Sequence, residues 1–426
     1  MNILWVTNIA LPEASLSMNE KPTPFGGWLV SASAHLADED SIELSIAFPK
    51  NGLRTVQILK GDKINYYAFP PVKEKDVSSN KKNSYLEKIL DKVKPDIVHI
   101  FGTEFAHALA MVNICQKKNI NTIISIQGLV SICARHYMAC LPANVQNRFT
   151  IRDFLKQDNL KQQQSKFINR GAFEIKALQK VKHIIGRTTW DRACTFQINP
   201  DAQYHFCNET LNDEFYKHIW DIEKCEKHSI FVSQCSYPIK GLHFILEAMP
   251  LILGSFPDTK LYVSGQNIIK SDTLKEKLRI SSYGKYIKEL IGRYKLGKSV
   301  VFTGILDEKQ MCERYLKSQI FVCASSIENS PNSIGEAMIL GVPCVASNVG
   351  GVADLLKHRE EGFVYQADAP YMLAYYVCEI FANDDLALQF SKKARMHAIK
   401  THNKEENTKR MMEIYREIIG QSVENY

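Results

Sequence analysis

The sequence lacks three features that would each point to a specialised class of protein. Its 11 cysteines are odd in number and include no Cys-x-x-Cys pair, so we expect neither a disulfide framework nor a zinc site. This cysteine usage predicts that the protein works in a reducing compartment. The most apolar stretch, Gly241–Phe256, is short and interrupted by charged residues and a proline, so it does not read as a membrane span. The N-terminus lacks the basic segment and cleavage site of a signal peptide. These absences predict a cytoplasmic protein that can at most lie on a membrane surface.

The chain also lacks a strong charge of either sign. It has 53 Lys+Arg against 46 Asp+Glu in 426 residues, which gives a net charge of +7. The hydrophobic fraction of 45% is ordinary for a globular protein and excludes intrinsic disorder. The length suggests two domains. Because the charge excess is mild, nucleic acid is not expected as a partner.

Most of the excess charge lies in the first half of the chain, and one stretch there is markedly basic. Arg135–Arg192 holds 12 Lys and Arg against 4 Asp and Glu, with phenylalanines interleaved. A solvated helix face explains this composition as well as a function does. The alternative is a surface that attracts anionic lipid or an acceptor that carries polyphosphate.

Short apolar runs alternate with longer segments of helical periodicity. Most runs are continuous in Val, Ile, Leu and Phe, as expected of parallel strands that are covered on both faces. The alternation predicts an α/β fold with doubly wound parallel sheets. The predicted strands are Asn2–Asn8, Ile42–Phe48, Asp96–Phe101, Asn121–Ile126 and His183–Arg187, then Ser229–Ser233, Lys260–Ser264, Val300–Thr303, Ile320–Ala324, Cys344–Ser347 and Gly362–Tyr365.

A polar, charge-rich stretch at Tyr216–Lys227 separates these strands into two series. It predicts an N-terminal domain of residues 1–215 and a C-terminal domain of residues 222–400. Ligands of open α/β sheets bind at the carboxyl ends of the strands. We therefore expect the functional site there.

Two short motifs match known sites by letter but stand in the wrong context. Gly292–Ser299 spells the phosphate loop G-x-x-x-x-G-K-S, but a helical segment precedes it and a strand follows it, the reverse of what that loop needs. Asp38–Asp40 resembles an Asp-x-Asp metal clip, but it precedes a strand and suits an exposed turn. No other segment has the spacing of metal ligands, so no metal site is expected.

The densest chemical signal lies in Ile320–Gly351, which reads as strand, loop, helix, strand and Gly-Gly turn. Ser330 is predicted as the N-cap of the helix, with Pro331 at its first position. The N–H groups that follow would attract an anion to the helix N-terminus. Glu328 before the helix and Glu336 within it would flank that anion and could hold sugar hydroxyls on both sides of a diphosphate.

These residues resemble the retaining glycosyltransferases of family 4, which have the GT-B architecture of two Rossmann-like domains that face each other across a cleft. The resemblance covers nearly the whole chain and is strongest from Phe231 to Gly362. The matching segments are the Glu-x7-Glu motif at Glu328–Glu336, Gly341-Val342-Pro343, Gly350-Gly351, Tyr237–Leu242, Phe25-Gly26-Gly27, Phe302-Thr303-Gly304 and Val263-Ser264-Gly265.

The resemblance implies a role for each matching residue. Glu328 would hold donor-sugar hydroxyls near the anomeric carbon, and Lys240 would neutralise the diphosphate leaving group; these are the expected catalytic residues. Glu336 would bind the ribose hydroxyls of the nucleotide. The other expected donor-binding residues would approach the phosphates, the sugar or the base, and they are Gly26, Gly27, Asn332, Ser333, Gly335, Gly265 and Ile305.

Three positions depart from the family pattern. Gln234 lies near the place of an arginine that contacts the diphosphate, so one positive charge is missing unless Arg293 or Arg135 replaces it. The family commonly has Gly-Phe-Gly between the glutamates, where this chain has Asn329-Ser330-Pro331, and proline supplies no N–H donor. Gln127 takes the place of a usual histidine.

The resemblance thus implies a retaining, metal-independent hexosyltransferase that uses a nucleotide sugar, with UDP favoured, and no other cofactor. Its acceptor would be a growing surface glycan, and the basic stretch Arg135–Arg192 favours a lipid-linked one at the inner face of the cell membrane. The helical tail, residues 405–426, would pack back on the first domain. Two alternatives stay open: a nucleotide-sugar epimerase or phosphorylase of similar fold, and a catalytically silent partner subunit that binds nucleotide.

Overall fold

A computed structural model of the chain describes residues 1–23, 26–79, 81–271 and 273–424. These residues form two compact units. The first unit contains residues 1–131, 168–212 and 401–426, and the second contains residues 132–167 and 213–400. The segment 132–167, which the sequence assigned to the N-terminal domain, thus packs within the second unit.

The first unit is built on an eight-stranded sheet in the order β3-β4-β2-β1-β5-β6-β7-β8. All neighbouring strands are parallel except β3, which runs antiparallel to β4 at the edge. The central strands are buried along nearly their whole length, which explains their continuous apolar sequences. The strands are β1 Asn2–Val6, β2 Glu43–Pro49, β3 Gln57–Lys60, β4 Asn65–Phe69, β5 Ile97–Phe101, β6 Asn121–Ser125, β7 His183–Gly186 and β8 Gln203–Phe206.

The second unit is built on a six-stranded, fully parallel sheet in the order β11-β10-β9-β12-β13-β14. This is the 3-2-1-4-5-6 order of a Rossmann fold. Its strands are β9 Glu226–Val232, β10 Lys260–Ser264, β11 Val300–Gly304, β12 Ser318–Cys323, β13 Cys344–Ser347 and β14 Gly362–Tyr365.

Helices connect the strands in both units, as parallel pairing requires. The helices before β9 are α1 Pro12–Ser17, α2 Gly27–Ala37, α3 Ser84–Val93, α4 Ala106–Lys118, α5 Val130–Cys133, α6 Ala143–Gln146, α7 Ile151–Lys156, α8 Leu160–Leu178 and α9 Thr189–Ile198. Those after β9 are α10 Leu242–Ser255, α11 Leu274–Lys277, α12 Ser282–Arg293, α13 Glu308–Leu316, α14 Asn332–Leu340, α15 Val352–Leu355, α16 Pro370–Ala382, α17 Asp384–Thr401 and α18 Lys404–Glu424.

The C-terminal helix α18 is tied into the core of the first unit by a buried polar chain. Tyr415 accepts a hydrogen bond from Trp5 Nε1 of β1 at 3.0 Å. His99 of β5 lies between the Tyr415 hydroxyl and Ser125 Oγ, at 2.5 and 2.7 Å. Because all of these groups are buried, their mutual hydrogen bonds remove the cost of burying them.

All eleven predicted strands are present, with ends that differ by a few residues at most. Three others were missed: β3, β4 and β8. Gln57–Lys60 and Gln203–Phe206 are short edge strands with exposed polar residues, and Asn65–Phe69 is rich in tyrosine rather than aliphatic residues. The helix-to-strand context of Gly292–Ser299 is as expected, since α12 precedes it and β11 follows.

Candidate functional site

The strand order of the second unit defines a crevice at one point of its sheet. The chain leaves β9 towards β10 on one side and returns through β12 on the other, so the loops after β9 and β12 diverge. Such a switch point is where ligands bind in doubly wound sheets. The loop after β9 carries Lys240, and the loop after β12 carries Glu328.

Lys240 and Glu328 meet at this point. Their Nζ and Oε1 atoms are 2.5 Å apart, and Ser325 Oγ donates a second hydrogen bond to the same carboxylate oxygen at 2.7 Å. The two side chains are 21% and 13% exposed, so solvent reaches the pair only from one side. The structure therefore brings together the two residues expected to be catalytic.

Close backbone contacts hold the two loops in place. Gly241 has φ +72°, and a Cβ on it would lie 1.8 Å from the carbonyl oxygen of Ala324. Gly350 has φ +53°, and a Cβ there would lie 1.7 Å from the carbonyl oxygen of Glu328. Only glycine fits at these two positions. The Lys-Gly and Gly-Gly pairs of the sequence thus act as spacers that let three loops approach each other.

The Lys240 ammonium is stabilised by its surroundings. Desolvation lowers the pKa of Lys240, but the Glu328 carboxylate and the neighbouring Tyr237 raise it, so that the net pKa lies above the usual value of lysine. The side chain therefore carries a positive charge throughout the neutral pH range. A diphosphate at the crevice would meet a cation without any proton uptake.

Helix α14 begins at the same edge of the sheet, one residue later than expected. Its N-cap is Pro331, with φ −70° and ψ 114°, and no side chain caps it. The prediction of Ser330 as N-cap and Pro331 as the first helical residue is therefore wrong. Because proline fixes φ but leaves ψ free, it can occupy the extended N-cap position. Asn332 and Ser333 are consequently the first two helical residues, and Gly335 is buried in the first turn.

Glu336 lies in the second turn of α14, and no cation among the described residues forms an ion pair with it. Tyr315 of α13 donates to Glu336 Oε2 at 3.2 Å, and the same hydroxyl contacts the carbonyl oxygen of Ser333 at 3.0 Å. Burial raises the pKa of the Glu336 carboxyl to about 8, and the tyrosine offsets this only in part. The carboxyl is thus poised to donate or accept a hydrogen bond near neutral pH.

Gly265 and Ile305 lie on the same edge, on the other side of β9. Gly265 follows β10 and donates its N–H to the carbonyl oxygen of Gly304 at 2.9 Å. Ile305 follows β11 and is 59% exposed, which leaves its side chain open to a flat ligand. Gln234, at the place of the missing arginine, lies next to Gly265. The charge of Arg293 acts on Glu247.

The two expected glycines of the first unit lie between β1 and α2. Gly26 is the N-cap of α2 with φ +81°, and Gly27 is its first residue; Phe25 of the same motif lies outside the described residues. Nearby, Asn8 Nδ2 donates to Glu104 Oε2 at 2.7 Å. Burial raises the pKa of Glu104 to about 7. Glu104 was not among the predicted site residues, although its position three residues after the end of β5 could have pointed to it.

Other carboxylates of the first unit fix loops. Glu174, fully buried, accepts hydrogen bonds from Thr103 Oγ1, from the N–H groups of Val130 and Ser131 and from Ser131 Oγ, at 2.6–2.9 Å. Glu209 accepts from Gln127 and pairs with Arg187. Gln127, at the place of the family histidine, is thus held by a loop carboxylate.

Most cations of the basic stretch Arg135–Arg192 have partners of their own. Lys156 and Lys161 are exposed, next to the exposed apolar side chains of Phe154 and Leu155. Two of the partner carboxylates, Glu289 and Glu209, lie outside the stretch, so its own net charge overstates its field. The partners are Glu289 for Arg148, Asp153 and Asp158 for Arg152, Asp158 for Lys166, Asn113 for Lys180, Glu209 for Arg187 and the rings of Phe105 and Tyr204 for Arg170 and Arg192.

Two residues of the site, Ser325 and Tyr315, were not predicted from the sequence. Ser325 lies two residues after the end of β12, so its position at the end of that apolar run could have indicated it. Tyr315 lies on α13 before the strand, and nothing in its sequence context points to Glu336. Within the described ranges, no group of three His, Cys, Asp or Glu side chains is arranged to hold a metal ion, and no helix has the length and hydropathy to span a membrane.

The structure defines an α/β protein of two parallel-sheet units, with a charged pair at the switch point of the second sheet. Comparison with known families narrows this class. Residues 212–397 match the model of the family described as glycosyl transferases group 1. The match covers the second unit from its first strand to α17, including Lys240, Glu328 and Glu336. This part of the chain therefore resembles a glycosyl transferases group 1 domain.

Sequence relatives are distant and match in part. YtcC of Bacillus subtilis (strain 168), provisionally named a glycosyltransferase, is 25% identical over 206 residues, 48% of each chain. The uncharacterized glycosyltransferase MJ1607 of Methanocaldococcus jannaschii is 25% identical over 162 residues, 38% of this chain and 37% of the relative. The matched region spans less than half the length of these relatives.

Solved structures of similar fold cover the whole chain. Sucrose-phosphate synthase from Thermosynechococcus elongatus superposes with a TM-score of 0.72 at 15% identity, over 99% of this chain and 100% of its own. Anabaena Alr3699/HepE, crystallised with UDP and glucose, superposes with a TM-score of 0.67 at 13% identity, over 97% and 99%. These similarities confirm the expected GT-B fold class of two parallel-sheet α/β domains.

Proposed function

We propose that this chain is a retaining glycosyltransferase of the family 4 type that transfers a hexose from a nucleotide diphosphate sugar to a hydroxyl of a growing surface glycan. UDP is the favoured nucleotide. The observation that carries the proposal is the Lys240–Glu328 pair at the switch point of a group 1 domain, where the N-terminus of α14 begins at the same edge.

The chemistry follows from where charge develops. Breaking the bond between the anomeric carbon and the phosphate oxygen leaves a negative charge on the diphosphate. A preorganised cation and a helix N-terminus stabilise such charge far better in a desolvated crevice than water does. Lys240 supplies the cation, and α14 supplies N–H groups and the positive end of its dipole. Because these groups balance the charge, we propose that transfer needs no divalent ion and survives chelation by EDTA.

Retention requires the acceptor hydroxyl to attack from the face that the diphosphate leaves. In this proposal the leaving phosphate takes the acceptor proton, so no general base is nominated. Glu328 would hold donor-sugar hydroxyls once the diphosphate competes for Lys240, and Glu336 would bind the ribose. The raised pKa of Glu336 suits this role, because a carboxyl near its pKa can pair with a hydroxyl as donor or acceptor.

The decisive experiment separates binding from turnover in two variants. UDP affinity and sugar transfer from UDP-hexoses are measured for Glu336→Ala and Glu328→Ala, with Glu360→Ala, an exposed residue of the same unit, as the matched control. We expect Glu336→Ala to weaken UDP binding about tenfold or more, because a buried polar ligand contact is lost. We expect Glu328→Ala to bind UDP normally and to lose turnover. Unchanged turnover in both would refute the assignment.

The same assay tests the two alternatives. Incubation of donor without acceptor would give an isomerised sugar nucleotide if the protein were an epimerase, and turnover that depends on free phosphate would indicate a phosphorylase. UDP binding without any sugar release or transfer, across a panel of donors and glycans, would indicate a silent partner subunit.

We further propose that the protein works at the inner face of the cell membrane on a lipid-linked acceptor. Supporting this, Phe149, Ile151, Phe154 and Leu155 expose 58–75% of their surface within and beside α7, next to Lys156. Apolar side chains flanked by lysine suit an anionic bilayer surface. Flotation with vesicles that contain phosphatidylglycerol should fail for Phe154→Ser/Leu155→Ser, and equal flotation of both proteins would refute the location.

A further inference from the structure

The first unit contains a groove that none of the residues discussed so far explains. It has a volume of about 1030 Å³, including the part open to solvent. Its walls come from the loop after β2, the loop after β4 and the start of α3. Its charged lining residues are Arg54, Lys73, Lys82, Lys88 and Asp76. We call it the basic groove.

The charges of the basic groove are unbalanced. Lys82 pairs with Asp76 at 2.6 Å, and this ion pair lowers the pKa of the Asp76 carboxyl. In the described part of the chain, no carboxylate forms an ion pair with Arg54, Lys73 or Lys88. Four cations from three separate segments therefore line one concave surface with Asp76, which pairs with Lys82 and also interacts electrostatically with Lys73. The positive charges of the groove outnumber its negative charge. Such an arrangement costs free energy through mutual repulsion unless an anion occupies it.

The neutral lining residues favour a ligand with several oxygen atoms. Thr55 and Ser84 contribute hydroxyl groups to the walls. The Tyr85 hydroxyl, which also lines the groove, donates to Asn83 Oδ1 at 3.3 Å. The Asn83 amide also donates to the carbonyl oxygen of Asp76 at 2.8 Å, which fixes the loop to the start of α3. Guanidinium and ammonium groups with hydroxyl donors beside them are the combination that binds phosphate.

The groove lies on the functional edge of its sheet. Strands β1, β2 and β4 are parallel neighbours, so the ends of β2 and β4, from which the groove loops start, lie at the same edge as the end of β1. Two strand spacings, roughly 10 Å, separate β4 from β1. A ligand held here would extend along the carboxyl edge towards the loop that carries Gly26.

We propose that the basic groove binds a phosphate group of the acceptor, roughly 10 Å along the carboxyl edge from the loop after β1. The identification of the ligand as the acceptor rests on the proposed transferase function. The prediction that the groove binds phosphate is independent of that function. The phosphate could belong to a lipid-linked diphosphate or to a soluble phosphorylated glycan, and the same groups would recognise both.

The test uses the full chain and inorganic pyrophosphate as the probe. Calorimetry at low and high salt compares the wild type with Arg54→Gln/Lys88→Gln and with the control Lys60→Gln/Lys92→Gln. The control removes the same charge from exposed lysines of β3 and α3 that do not line the groove. We expect the groove variant to bind pyrophosphate at least about tenfold more weakly, because two charge-assisted contacts are lost, and the control to bind within about twofold of wild type. Equal weakening in both would overturn the proposal.

A further variant excludes the donor site as the source of the signal. Lys240→Gln should retain pyrophosphate binding at the basic groove, and complete loss in this variant would overturn the proposal. UDP binding by the groove variant should equal that of wild type, which separates this site from the donor site. If UDP fails to bind wild type while pyrophosphate binding still depends on Arg54 and Lys88, the transferase proposal fails and the phosphate site stands.

Two arms identify the source of the phosphate. In the first arm, binding to vesicles that contain phosphatidylglycerol is compared with binding to vesicles of pure phosphatidylcholine. A lipid phosphate is the source if the groove variant loses the preference of wild type for phosphatidylglycerol while the control variant keeps it. Glucose 6-phosphate reports a soluble source if its affinity shows the same loss. The proposal requires a loss in at least one arm; wild-type behaviour of the groove variant in both would overturn it.

Discussion

The carboxyl edges of the two sheets each hold a carboxylate with little solvent exposure, but the two carboxylates have different partners. In the second unit, Glu328 pairs with the flexible side chain of Lys240. In the first unit, Glu174 is satisfied by backbone N–H groups and hydroxyls of two loops. A side-chain cation can leave one anion for another, whereas backbone donors cannot move without unfolding their loop. The comparison separates a carboxylate suited to ligand exchange from one that fixes the architecture.

The largest effect should follow from removal of the exchangeable cation. We expect Lys240→Met to lower kcat about 10²–10³-fold, since it deletes one preorganised charge aimed at the leaving group. The unpaired Glu328 would remain buried, so the melting temperature should fall as well. Lys309→Met, which removes an exposed lysine from α13, serves as the control and should retain full activity. Single-turnover rates with saturating donor measure the effect, and a rate within about threefold of wild type would remove Lys240 from the mechanism.

The second test targets the spacer that lets the Lys240 loop approach the Glu328 loop. Gly241→Ala places a Cβ 1.8 Å from the carbonyl oxygen of Ala324 at a left-handed φ, and we expect a loss of roughly 2–4 kcal/mol in unfolding free energy. Gly254→Ala, in the helix that starts after Gly241, meets nothing within 4 Å. It should instead stabilise by about 0.5–1 kcal/mol. Urea denaturation measures both, and equal stabilities would contradict the close contact.

The third test asks whether Glu174 is purely architectural. Glu174→Gln keeps the shape but turns one acceptor oxygen into a donor that faces backbone N–H groups, so we expect a loss of about 2 kcal/mol. Because the residue fixes loops of the first unit, UDP affinity should stay within about twofold of wild type. Glu39→Gln, at an exposed position of the same unit, controls for the loss of charge. A tenfold change in UDP affinity would erase the distinction between the two carboxylates.

The sequence predicted the features that depend on local pattern. Continuous apolar runs located eleven strands, including all six of the second unit. The Glu-x7-Glu and Tyr237–Leu242 motifs located the loops that bring Lys240 to Glu328. Gly241 and Gly350 also have a physical explanation, because a Cβ at either position would clash with a backbone carbonyl oxygen. These features follow from short-range spacing, which a single sequence carries.

Features that depend on contacts between distant segments could not be predicted. Tyr315 reaches Glu336 across 21 positions, and the cations of the basic groove come from segments up to 34 positions apart. The partners of Arg148 and Arg170 also lie more than 60 positions away, so the composition of the basic stretch could not reveal them. The N-cap of α14 is Pro331 rather than Ser330, a shift of one residue that lies within the usual uncertainty of helix ends.

The two glutamates of the second unit offer the finest comparison. Glu328 has the Lys240 ammonium beside it, whereas the side chain of Glu336 accepts its hydrogen bond from the neutral Tyr315 hydroxyl. The pKa of Glu336 is therefore raised from 4.5 to about 8 by burial. Since the folded state holds this proton up to about pH 8 and the unfolded chain releases it near pH 4.5, the folded state binds more protons between these values. Its stability must fall as the pH rises through this window.

This relation gives the smallest expected effect. Between pH 5 and pH 8 the unfolding free energy of wild type should fall relative to that of Glu336→Gln, which cannot ionise at this position, by at least about 1 kcal/mol. Above pH 8 the two curves of unfolding free energy against pH should run parallel. The partial exposure of the side chain keeps the gain below the full linkage value. Urea titrations at a series of pH values measure it, with Glu360→Gln as a control whose curve should parallel wild type. A constant offset between Glu336→Gln and wild type across the window would mean that the carboxyl ionises as freely as an exposed one, and the contrast between the two glutamates would then rest on Lys240 alone.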